Sequence, residues 1–202
     1  MLQATKSILK KVYAHGRGWV FTSSDFVDLE SLSVVGKVLT RLTNKGTIRR
    51  IARGLYYFPK HSDFLGELSP SYDYVAKAIA RKYSLRLQYT GAHAANYLGL
   101  SLQVPAKIVF LTDGSSRTVT VGNQRMIFKK TSLKYMGASQ IGGLVIQALR
   151  FTGKDYVDDK VIRKLQRQLS YKHKKQLLRD IVCAPAWISD IIRKIVRCEG
   201  VK

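Results

Sequence analysis

The sequence predicts an α+β protein: an N-terminal unit of helices closed by a hairpin, then a mixed α/β region with a helical C-terminal part. Three observations predict it. Apolar residues recur at helical spacing over 33–44 and again after residue 139. Two short β-branched and aromatic runs flank Ala52-Arg53-Gly54. Strand-like runs between 107 and 130 are broken by Asp113-Gly114 and Gly122-Asn123, both turn dipeptides. At 202 residues and 46% hydrophobic, the chain is long enough for two domains with their own cores.

The elements follow in order. Residues 4–14 read as a helix with Ile8, Leu9 and Val12 on one side, ended by Gly16-Arg17-Gly18. Trp19-Val20-Phe21 is a short strand-like run. Thr22, three residues before Asp25, has the spacing of a capping box, and Phe21 and Phe26 that of a hydrophobic staple, so a short helix is expected to about Leu29. A third helix spans about Ser33 to Asn44. Val35, Val38, Leu39 and Leu42 form its apolar stripe, and Lys45-Gly46 its end. Thr47–Ile51 and Leu55–Phe58 read as strands around a tight turn, with Leu55 and Tyr57 on one face. This order is that of a winged helix-turn-helix, expected over 1–60. A linker is expected over 61–70 and a C-terminal domain over 71–202. In that domain helices are expected at 71–83, 92–97, 139–151, 157–170, 173–183 and 185–198, with strands at 88–90, 107–112, 117–121 and 124–130.

Charge bounds the partners. Lys plus Arg total 35 against 13 Asp plus Glu, a formal net charge of +22, which favours polyanions. The excess is spread: +8 over 1–60, +6 over 61–140 and +8 over 141–202. In a helix-turn-helix the second helix lies in the major groove of DNA. Here its polar face offers Ser33, Lys37, Thr40, Arg41 and Asn44, with Lys45 at its end and Arg49, Arg50 and Arg53 on the hairpin. No Asp or Glu occurs over 31–60. The reading is double-stranded DNA; protein-only and RNA-binding winged helices remain alternatives. The helical tail from Lys160 to Arg179 interleaves cations with apolar residues. A solvated surface, an acidic partner and nucleic acid all suit it.

Catalytic and metal chemistry is not expected. The histidines 15, 61, 93 and 173 lack neighbours at ligand spacing, and no GxSxG, Walker A or HExxH pattern occurs. Asp158-Asp159 stands where a helix should begin. Cys183 and Cys198 read as two buried thiols of a reducing cytoplasm. No apolar run is long enough to cross a membrane, and Met1–Lys11 lacks the apolar core of a secretory signal. No cofactor is expected.

The patterns Lys37-Val38-Leu39-Thr40-Arg41-Leu42, Lys45-Gly46-Thr47-Ile48-Arg49-Arg50-Ile51 and Arg53-Gly54-Leu55-Tyr56-Tyr57 resemble the N-terminal domain of AbiEi-type antitoxins. Thr90-Gly91-Ala92-His93-Ala94-Ala95-Asn96-Tyr97-Leu98-Gly99-Leu100, with Val104-Pro105 and Phe110-Leu111-Thr112, is similar to the start of that family's second domain. The likeness covers about residues 5–130. It implies a non-enzymatic bacterial regulator of a type IV toxin–antitoxin, phage-defence system, located in the cytoplasm at the nucleoid. Its winged helix would repress its own promoter at inverted repeats. Its C-terminal domain would counter a nucleotidyltransferase-like toxin. Carried over by position, Lys37, Arg41, Arg49, Arg50 and Arg53 would touch DNA. Two alternatives stand beside it: a stand-alone transcription factor with a ligand-sensing or dimerisation domain, and a nucleic-acid-processing enzyme built on Asp155, Asp158 and Asp159.

Overall fold

The computed structural model describes residues 2–137 and 139–197. The chain is a mixed α+β protein that divides into two compact units, 1–85 with 119–126, and 86–118 with 127–202.

The first unit begins with α1 (Leu2–His15), which buries Ala4, Ile8 and Val12 on one stripe. β1 (Val20–Phe21) follows, then a 3-10 turn over Ser23–Phe26. The capping box forms: the Thr22 backbone N–H donates to the Asp25 carboxylate at 2.8 Å. Phe21 and Phe26 meet edge to face at 5.4 Å, as the staple spacing predicts. The helix expected to Leu29 does not propagate beyond that turn. The Leu29 and Glu30 N–H groups both return to the Phe26 carbonyl, and Ser31 at once caps the next helix. Lys11 reaches this segment at 2.7 Å from Asp28, and the ammonium holds the Asp28 carboxyl below the usual carboxylate range.

α2 (Leu32–Asn44) starts at the Ser31 hydroxyl, which accepts from the Val34 N–H, and buries the predicted Val35, Val38, Leu39 and Leu42. Gly36 sits inside this helix without positive φ, and a Cβ there would meet nothing within 4 Å. Gly36→Ala should therefore stabilise the protein by about 0.5–1 kcal/mol, since alanine gives up less backbone freedom. A urea midpoint that fell instead would contradict this placement.

β2 (Arg49–Ala52) and β3 (Leu55–Tyr57) form the hairpin, joined through Gly54 at φ +72°, and the sheet order is β1-β3-β2. The expected linker carries a second hairpin, β4 (Lys60–Ser62) with β5 (Gly66–Leu68). It is anchored where the Tyr57 hydroxyl donates to the Leu68 carbonyl at 3.0 Å. α3 (Tyr72–Tyr83), placed by the sequence after the linker, groups with the first unit. Its Arg81 guanidinium binds the Asp25 carboxylate at 2.8 Å and the Val20 carbonyl at 2.9 Å.

The second unit opens with β6 (Leu87–Tyr89) and α4 (Gly91–Tyr97); β6, β7 (Ile108–Thr112), β8 (Arg117–Val121) and β9 (Gln124–Lys130) form a sheet of order β6-β7-β9-β8, of which residues 119–126 group with the first unit. A single turn, α5 (Leu133–Met136), leads to α6 (Gln140–Thr152). Residues Gly142–Leu149 are all buried, Gln147 the one polar side chain among them, so α6 is enclosed on every side and is the core helix of this unit. α7 (Asp159–Gln168), α8 (Tyr171–Asp180) and α9 (Ala186–Val196) pack Ile162, Leu165, Leu177, Ile188 and Ile192 into the same core. Asp158 caps α7, its carboxylate accepting from the Val161 N–H at 2.9 Å, the helix-start role expected of it. Cys183 is a free thiol, half-buried rather than buried as expected, and Cys198 lies outside the described residues.

Candidate nucleic-acid interface

The polar face of α2 follows from its apolar stripe. With Val35, Val38, Leu39 and Leu42 turned inward, positions 33, 37, 40, 41 and 44 must turn outward. Ser33, Lys37, Thr40, Arg41, Asn44, Lys45, Arg49, Arg50 and Arg53 are all solvent-exposed. The nine side chains come from α2, its C-terminal end and the adjacent hairpin.

Three of them differ from their expected roles in detail. Thr40 donates its hydroxyl to the Gly36 carbonyl at 2.9 Å, so it meets a ligand only as an acceptor. Arg49 is ion-paired with Glu67 of β5 at 2.7 Å. That acid lies outside the acid-free stretch 31–60, and only the β4–β5 hairpin brings it there. Arg49 and Arg50 also part company. Their registers set Arg49 opposite Tyr57 and Arg50 opposite Tyr56, and alternation sends them to opposite faces of the hairpin.

The structure adds a cation that sequence reasoning missed. A Cβ built on Gly54 would stand 3.0 Å from the Lys82 ammonium, so Lys82 of α3 lies against the hairpin turn beside Arg53. Assigning 71–202 to a separate domain hid it. The signal available was the basic end of α3, Arg81-Lys82, and nothing local tied it to residue 54. Arg17 donates to the Pro59 carbonyl at 3.0 Å and stacks its guanidinium over Phe58, which steadies the chain behind the hairpin.

The arrangement presents a helix face of hydrogen-bonding and cationic groups next to a cationic hairpin. Such a surface suits phosphates and base edges. Among the described residues, no group of three or more His, Cys, Asp or Glu lies together as a metal site. No described helix is long and apolar enough to cross a membrane. A family model matches residues 7–177, and the chain belongs to that family, described as a family of unknown function (DUF6088). No curated protein matches the chain.

Proposed function

We propose that the first unit is a winged helix-turn-helix that binds double-stranded DNA, with α2 as the recognition helix and the β2–β3 hairpin as the wing. One observation carries this reading: all nine candidate side chains stand exposed on α2 and the hairpin, within a stretch that contains no acid. On this reading Lys37 and Arg41, one helical turn apart, reach into one groove, and Arg41 grips a guanine edge bidentately for about 1–3 kcal/mol of discrimination. Arg50 and Arg53 hold phosphate or enter the minor groove.

The biological role that fits is a bacterial transcriptional autorepressor. The likeness of 90–112 to the second domain of AbiEi-type antitoxins adds antitoxin action against a nucleotidyltransferase-like toxin. The second unit then serves the toxin, and the chain is not an enzyme. A gel-shift titration with the DNA upstream of the protein's own gene tests the first half. Wild type should bind through an excess of random competitor, and Lys37→Ala/Arg41→Ala should lose that competitor-resistant complex while still countering the toxin. Equal, weak binding to both DNAs would sink the recognition-helix reading.

A further inference from the structure

The helical tail contains a basic feature that the first unit does not use. An open groove of about 470 Å³ runs along α7, lined by Lys160, Arg163, Lys164, Arg167 and Gln168. The cations stand at i, i+3, i+4 and i+7, one face of the helix, and all four are exposed. The opposite face buries Ile162 and Leu165. The two acids at the helix start, Asp158 and Asp159, do not line the groove. One wall group is held from another element: the Lys164 ammonium donates to the Gly99 carbonyl. Gly99, at φ +63°, permits that approach, because a Cβ there would stand 2.9 Å from the Lys164 nitrogen.

We propose that this groove is a second phosphate-binding site, one that takes the backbone of a nucleic acid without reading its sequence. Lys160 and Arg167 are seven residues apart, about 10.5 Å along the axis. Measured along a duplex axis, where each strand carries one phosphate per ~3.4 Å of rise, that span covers about three phosphates of one strand. Arg163 and Arg167, one turn apart, each offer a planar fork that fits a phosphate bidentately. The lining itself selects nucleic acid over an acidic protein. Protein interfaces favour arginine but centre on aromatic and apolar anchors and are depleted in lysine, whereas this groove holds two lysines, two arginines and an amide with no aromatic or aliphatic side chain among them. The site does not depend on the reading of α2.

The test measures fluorescence anisotropy of a short random-sequence duplex with the full chain, between about 50 and 200 mM salt. It compares wild type with Arg163→Gln/Arg167→Gln and with Lys172→Gln/Lys175→Gln, a pair on α8 that removes the same charge. The α7 pair should make the log–log salt slope shallower by about 1.8 and cost roughly tenfold to a hundredfold in affinity at ~100 mM salt, with the α8 pair far less affected. Lys160→Gln should give the same sign at about half the size, and circular dichroism checks that each variant is folded. Equal losses in the α7 and α8 pairs would overturn the groove in favour of bulk charge. Inorganic pyrophosphate binding more tightly than the duplex, in an α7-dependent way, would assign the groove to a free phosphate compound and overturn the nucleic acid. Polyglutamate binding as well as the duplex would overturn the phosphate reading. A lost promoter preference with an intact α7 effect would strike only the α2 reading.

Discussion

Gly143→Ala should destabilise the second unit by about 3–5 kcal/mol, the sum of an overpacked core and a broken buried amide contact. A methyl at Gly143 would overlap the Gln88 side-chain amide and the Met136 carbonyl. The carbonyl is backbone and does not swing aside. The amide is 3% exposed and donates to the Gln140 carbonyl at 3.0 Å, so displacing it leaves buried polar groups without partners. Domains are stable by only about 5–15 kcal/mol, so this one methyl removes a large share. The chain's tryptophans, Trp19 and Trp187, fall one in each unit. In a Trp19→Phe background, Trp187 fluorescence during urea unfolding reports the second unit alone. A loss below about 1 kcal/mol would mean that α6 shifts to admit the methyl, and that its contact with β6 is looser than these distances require.

The same neighbourhood shows what a sequence discloses and what it withholds. Helix faces were legible, because burial repeats at 3.6 residues per turn: the α2 stripe, and with it the outward side chains, followed from spacing alone. The Gly54 and Gly122 turns were legible from local chemistry, and both adopt positive φ. By contrast, nothing local in Gly142-Gly143 marks it as the place where Asp180 and Gln88 enter. Asp180, 2% exposed, accepts from the Ser139 hydroxyl 41 residues away, and periodicity carries no trace of that. The Arg81–Asp25 tie, 56 residues apart, holds α3 to the first unit, against the domain boundary expected at residue 71. The β4–β5 hairpin escaped notice because its turn, Asp63-Phe64-Leu65, exposes two large apolar groups and has no strand periodicity around it. Local patterns specify faces and turns. Pairings between distant residues decide which acids sit beside which cations, and so decide the electrostatics of the interface.

If the first unit binds its own promoter as proposed, raising salt from about 50 to 200 mM should weaken that binding roughly 250- to 1000-fold, the consequence of about five phosphates neutralised at a slope of −4 to −5. Glu67 sets part of that number. At 2.7 Å from Arg49, with the arginine side chain 59% exposed and the acid 33%, it competes with phosphate for that guanidinium. A surface pair of this kind is worth at most about 1 kcal/mol, so the fold does not depend on it. Glu67→Gln should then leave the melting temperature nearly unchanged and release Arg49. The salt slope should steepen by about 0.9 and affinity at ~100 mM rise roughly eightfold. Adding Arg49→Gln should return both to the wild-type values, because that substitution removes what the first one freed. An unchanged slope in Glu67→Gln would place Arg49 off the DNA, leaving Arg50 on the opposite hairpin face as the strand's own contact. A fall in affinity would mean that the ion pair holds the β4–β5 hairpin against the β2–β3 hairpin, and that the latter needs that brace to meet the proposed DNA.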